Sequence, residues 1–213
     1  DSDLAIGMLG ELGQLRDDLT LVAMSATLDV AAWVELLGNG TQVCEVDVAP
    51  HPLEVRWAPP PRDVHALDDR GVTRDFLDHV TRVTADAVAA ADDGSALVFL
   101  PGAREVDAVV AGLRVRGLAA EPLTGSLSLA EQQRVLRPSG ERRVIVSTAI
   151  AETSLTVPDV RLVVDAGLSR EPRIDLARDM AQLVTVSVSQ AAATQRAGRA
   201  ARVGPGRVVR CYA

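Results

Sequence analysis

Within RVIVSTAIAETSLTVPDVRLVVDAG, residues 143–167, two apolar runs flank a stretch of small and polar residues. Arg143–Val146 and Arg161–Val164 place Val, Ile and Leu at successive rather than alternate positions, the pattern of strands covered on both faces. Each run ends in small polar residues, Ser147-Thr148 and Asp165-Ala166-Gly167. The alternation continues outward. Upstream, predicted strands Ala96–Leu100 and Ala120–Leu123 flank a helix over Glu105–Val115, and a further helix covers Gly71–Ala91. Ser128–Leu136 reads as a helix capped by Ser128, with Glu131 three residues on completing a capping box. Downstream, Leu168–Ser187 reads as a hairpin, Gln190–Ala201 as a helix and Gly206–Tyr212 as a last strand. Strands alternating with helices predict an α/β fold, a parallel sheet flanked by helices on both faces.

Nearer the start, Asp1–Leu19 reads as a helix with Leu4, Met8, Leu12 and Leu15 on one face. Leu19–Met24 has the look of a buried strand ending in Ser25-Ala26-Thr27. Asp29 can cap a helix through Leu37, Thr41–Val48 alternates, and Leu53–Trp57 reads as another strand. Pro59-Pro60-Pro61 cannot join a helix or a sheet interior. Residues 58–70 are therefore expected to link two units, 1–57 and 71–213; the alternative is a long surface loop within one domain.

The 213 residues hold 22 basic and 29 acidic side chains, with 47% hydrophobic and 24% charged, a composition that folds. No apolar run approaches the ~18 residues of a membrane span, so no membrane is expected as partner. Cys44 and Cys211 make neither a disulfide framework nor a metal cluster, which suits a reducing, cytoplasmic setting. His51, His65 and His79 lack metal-ligand spacing, and no metal site is expected. Trp33 and Trp57 are expected to fill cores rather than to stack on bases. With 2% aromatic residues, a nucleic-acid grip built on stacking is disfavoured.

All 22 basic residues are Arg. A GxxxxGK[ST] phosphate loop needs its Lys, so none lies in this chain. Residues 1–95 carry 6 Arg and 18 acids, whereas residues 96–213 carry 16 Arg and 11 acids. The basic half contains QRAGRAAR, Gln195 to Arg202. On a helix the spacing sets Gln195, Arg199 and Arg202 along one face, with Ala and Gly between them allowing close approach. Guanidinium forks bind phosphate bidentately, and such a group stabilises a phosphoryl-transfer transition state. The plainer alternative is a solvated basic face.

Several segments together resemble a family. VAMSATLD (22–29) is similar to helicase motif III, VFLPGAREV (98–106) to motif IV of the DEAH/RHA group, and STAIAETSLTVPDV (147–160) to motif V. VVDAG (163–167) resembles the segment that follows, and QRAGRAAR resembles motif VI. They occur in the family's order and cover most of the chain. LTGSLSLAEQQRVL (123–136) looks most like the bacterial HrpB type of these ATP-dependent RNA helicases.

The resemblance implies a RecA-like sheet, with residues 1–57 the tail of a first RecA-like domain and 71–213 a second one. It implies a fragment that lacks the P-loop and the DEAH box and is inactive alone. It implies ATP with Mg2+, held mainly by other parts of the parent, and single-stranded RNA as partner. By motif match, Arg199 and Arg202 are arginine fingers and Gln195 positions water. Ser154, Thr156 and Asp159 line the nucleotide, and Ser25 and Thr27 couple hydrolysis to strand contact. Gly102, Thr148 and Ala149 lie on the nucleic-acid backbone, Gly102 through an unobstructed amide. Ala149 stands where the family usually has Asn, Ala201 where it has Gly, and Pro158 where an acid often meets the ribose. Glu152 is expected to be structural or a helix partner. A non-hydrolytic nucleic-acid-binding or scaffold module, and a DNA-directed superfamily 2 helicase, remain open.

Overall fold

Six parallel strands build one sheet in the order β1-β10-β7-β4-β6-β5. The computed structural model describes residues 2–16, 18–24, 30–38, 40–44, 51–91, 93–153, 155–175 and 180–213. Ser25, Thr27 and Ser154 lie outside the described residues. The chain falls into two compact units, 1–49 and 50–213. The first holds α1 (Ser2–Leu15) and α2 (Val30–Leu37).

The second unit begins with β1 (Leu53–Trp57), a small antiparallel pair β2 (Leu67–Asp68) and β3 (Gly71–Val72), and α3 (Arg74–Ala89). Then follow β4 (Ser95–Phe99), α4 (Ala103–Val115), β5 (Ala120–Leu123), α5 (Leu129–Leu136) and β6 (Val144–Ser147). After α6 (Ile150–Thr153) come β7 (Val160–Asp165), the antiparallel pair β8 (Leu168–Asp175) and β9 (Met180–Ser187), α7 (Gln190–Gly198) and β10 (Gly206–Arg210). No helix among the described residues is long and apolar enough to cross a membrane.

The unbroken apolar runs of the strands are explained by burial on both sides. Alternate residues Val98, Val146 and Val164 pack with Phe76, Val80, Val109 and Leu113 of α3 and α4. Their neighbours Leu97, Phe99, Ile145 and Val163 pack with Val135, Ala151 and Ala197 of α5, α6 and α7 and with Ala200 just beyond α7. The predicted capping box forms. The Ser128 hydroxyl accepts from the Glu131 N–H at 3.3 Å, and the Ser128 N–H donates to the Glu131 carboxylate at 2.9 Å. Ser128→Ala is expected to lower stability by about 1 kcal/mol, read as a drop in the urea midpoint at unchanged slope.

Three expectations change. Leu53–Trp57, expected to close the first unit, instead pairs with β10 from Leu53↔Gly206 to Trp57↔Arg210 as an edge strand of the large sheet. LEVRW says that the segment can be a strand, but its partner lies some 150 residues away, beyond any local pattern. Residues 58–70 do not run as a free spacer: Ala58, Val64 and Ala66 pack against the core, and β2 opens the small pair with β3. Leu19–Met24 is not a strand, and Val22 and Met24 are largely exposed. A strand needs a hydrogen-bonded neighbour, and the described residues of that unit contain no other strand.

Candidate functional site

Register across the sheet lines up Trp57, Arg210, Asp165, Phe99, Ser147 and Leu123 in one row at the carboxyl ends of the strands. This is the edge at which open α/β sheets take ligands. Thr148 and Gly102 lie just past it. Thr148 is half-buried and its N–H donates to the Leu123 carbonyl at 3.3 Å, while Ala149 is exposed. Gly102 caps α4 with extended backbone, but it is buried. A Cβ there would lie 2.5 Å from the Arg170 guanidinium carbon and from the Glu105 carboxylate. The expected unobstructed amide is therefore a correction: the Arg170–Glu105 ion pair, at 3.4 Å, closes over this helix end. Arg170 comes from the hairpin, 65 residues away, which no motif reveals.

The three arginines of QRAGRAAR do not act alike. Steps of three residues rotate by about 60° short of a full turn, and α7 ends at Gly198, so the side chains fan apart. Arg196 points inward and is 1% exposed. Its Nε donates to Glu152 at 2.8 Å, and its Nη1 donates to Asp165 at 3.0 Å and to the Leu168 carbonyl at 3.2 Å. The guanidinium carbon sits 5.2 Å from the centroid of Phe99. No expected role falls on Arg196. Its signal was nonetheless present: Ala193, Arg196, Ala197 and Ala200 fall on one helical stripe, and all are buried. Glu152 is a helix partner, as expected.

Arg199 is also buried, docked on the carbonyls that end α6. Nε donates to the Glu152 carbonyl at 3.0 Å and Nη1 to that of Leu155 at 3.0 Å, with Nη2 also on Glu152. Burial, and after it the Arg202 charge, holds this guanidinium below its ordinary pKa. An arriving anion would relieve both penalties. Arg202 is exposed and donates to the Thr156 hydroxyl at 3.1 Å. Arg199 and Arg202 thus converge on the α6–β7 connection beside Thr156, with Gln195 half-buried on α7. Asp159 stands elsewhere, exposed at the amino ends of the strands. It has φ +56° and its carbonyl accepts the Ser95 N–H at 2.8 Å.

Asp165 is 1% exposed and anchors more than Arg196. It accepts the Gly167 N–H at 2.9 Å and the Tyr212 hydroxyl at 3.5 Å. Burial, then the Asp165 charge, pushes the Tyr212 phenol and the neighbouring Cys211 thiol each up to about 12. Cys211 is buried and Cys44 exposed, both as free thiols. Trp57, expected in a core, is instead 53% exposed at the tip of the edge strand. Among the described residues no group of three or more His, Cys, Asp or Glu is placed to hold a metal ion.

Residues 77–204 match the family described as helicase conserved C-terminal domain. The chain is 39% identical over 211 residues to the ATP-dependent RNA helicase HrpB of Escherichia coli, covering 96% of this chain and 25% of that one. To the HrpA homolog of Haemophilus influenzae it is 34% identical, covering 100% of this chain and 16% of that one. The crystal structure of the Escherichia coli DEAH/RHA helicase HrpB superimposes with a TM-score of 0.83 at 39% identity, over 99% of this chain and 26% of that one. The chain thus spans a quarter or less of the curated relatives it matches.

Proposed function

The chain belongs to the helicase conserved C-terminal domain family, in its DEAH/RHA branch, and from that premise we propose that it serves in an ATP-dependent RNA helicase as the second of two RecA-like lobes. Residues 1–49 would be the tail of the first lobe, while β1 and residues 58–70 already belong to the second. ATP would bind in a cleft whose other wall carries the P-loop, and cleft closure would drive stepping along single-stranded RNA.

The observation that carries this reading is the grouping of Arg199 and Arg202, which follow α7, against Leu155 and Thr156 of the α6–β7 connection. Arg202 is free to turn toward a γ-phosphate, with only one hydroxyl to give up. Arg199 would have to exchange two backbone carbonyls for phosphate oxygens, a trade that its desolvation favours. Gln195 would orient water and Ser154 would complete the nucleotide side, whereas Asp159, at the amino ends of the strands, is left out of it. Ser25 and Thr27 would couple hydrolysis to strand contact. Thr148 and the Ala149 backbone would meet nucleic-acid phosphates, and Gly102 would join them only after Arg170 moves aside. The described residues gather no carboxylate cluster for Mg2+.

An arginine finger accelerates only a nucleotide held by other residues, so this chain alone is expected to release no phosphate from ATP above the blank. Turnover by the isolated chain, abolished by Arg199→Ala, would overturn the reading. The gene encoding the chain is expected to specify a GxxxxGK[ST] segment upstream; its absence would favour a non-hydrolytic binding module. Equal affinity of the complete protein for RNA and DNA across a salt series would count against the RNA assignment.

A further inference from the structure

We propose that Trp57 is a stacking platform for a base of single-stranded nucleic acid. The proposal rests on the reading that the carboxyl ends of the strands carry the nucleic acid, and it adds a contact that this reading does not contain.

Trp57 ends the edge strand β1 and leaves 53% of its surface to solvent. Its ring is nonetheless fixed. The Arg210 guanidinium carbon lies 4.8 Å from the ring centroid, and the Tyr212 ring meets it edge-on with centroids 5.5 Å apart and planes at 88°. An aromatic surface held in place before binding loses little freedom when a base stacks on it. The chain has only five aromatic residues, and the two Phe are buried. In the unit spanning 50–213, the remaining two, Trp57 and Tyr212, meet each other at the strand ends.

Charge at this point also suits a polyanion. Arg210 Nε is buried without an acceptor, and among the described residues no carboxylate forms an ion pair with this guanidinium. The Trp57 tip lies four strands from Ser147 in the register row, about 19 Å at ordinary strand spacing. A strand of nucleic acid crossing Thr148 and the β4 tip would reach Trp57 within a short oligonucleotide's length. Every base offers a π-face, so the contact needs no sequence identity, in keeping with backbone contacts at the other end of the row.

The test uses the 213-residue chain with Trp33→Phe, which leaves Trp57 as the single tryptophan emitter. Titration with a 12-nucleotide oligoadenylate at low salt is expected to quench that emission, whereas inorganic polyphosphate of equal charge is expected to leave it unchanged. Trp57→Ala is expected to weaken binding of a labelled oligonucleotide about 5- to 150-fold, and Trp57→Phe to restore most of it. If Trp57→Ala fails to fold, the quenching experiment decides alone. Binding with unchanged emission and an unaffected Trp57→Ala affinity overturns the platform and leaves the nucleic-acid reading standing. Quenching by polyphosphate alone, or by a co-purifying protein in place of the oligonucleotide, also overturns it. No binding by any form removes both.

Discussion

Arg196→Ala is expected to cost about 3–5 kcal/mol of stability, the largest loss for any single substitution outside the apolar core. The guanidinium is 1% exposed between Glu152 and Asp165, and Asp165 is equally buried. Burying three charges is unfavourable in itself, and the group is stable only because each donor meets an acceptor. Removing the cation strands a carboxylate that solvent cannot reach. Arg196→Lys should recover little, because one ammonium cannot span both acids and stack on Phe99. In urea denaturation, Arg196→Ala combined with Asp165→Asn should cost clearly less than the two single losses added together. Additive losses, or a single loss below about 1 kcal/mol, would show that the pair does not hold α7 to the sheet.

Arg202→Ala and Arg199→Ala in the complete protein are each expected to lower ATP turnover by about 10³-fold or more, the range of an arginine finger. The two should separate in stability. Arg202 gives up one hydrogen bond, to the Thr156 hydroxyl, and its loss should leave the melting temperature within error. Arg199 ties α7 to the end of α6 through Glu152 and Leu155, so its loss should also lower the melting temperature. Full turnover by Arg202→Ala would remove the exposed guanidinium from the mechanism. An unchanged melting temperature for Arg199→Ala would show that the docked position contributes nothing to the fold.

The sheet was legible because its cause is local: uninterrupted Val, Ile, Leu and Phe at 97–100, 144–146 and 162–164 require cover on both faces. The capping box at Ser128 and the hairpin over 168–187 were legible for the same reason. The roles within QRAGRAAR were not. Their fate depends on what faces each side chain, and the facing groups come from residues 152–168 rather than from the helix itself. The Ala stripe at 193, 197 and 200 marks the inward side, and weighing it would have separated Arg196 from Arg199 and Arg202. Gly102 illustrates the same limit: a glycine at a strand end reads as open backbone until a guanidinium from a distant hairpin covers it. Edge strand β1 was assigned to the wrong unit because pairing partners far apart in sequence leave no mark on either segment.

That distant pairing sets a timetable for synthesis. Glu54 and Arg207, bonded across β1 and β10 at 2.9 Å, are separated by 153 positions. At a ribosomal rate of ~5–20 residues per second, β1 emerges roughly 8–30 s before its only sheet neighbour exists. Through that interval LEVRW is an unclaimed hydrogen-bonding edge, and its Glu54 and Arg56 supply the charges that discourage pairing with another nascent chain. Vectorial translation therefore builds this sheet from the β5 side, through β6, β4 and β7, and closes it last where β10 meets β1.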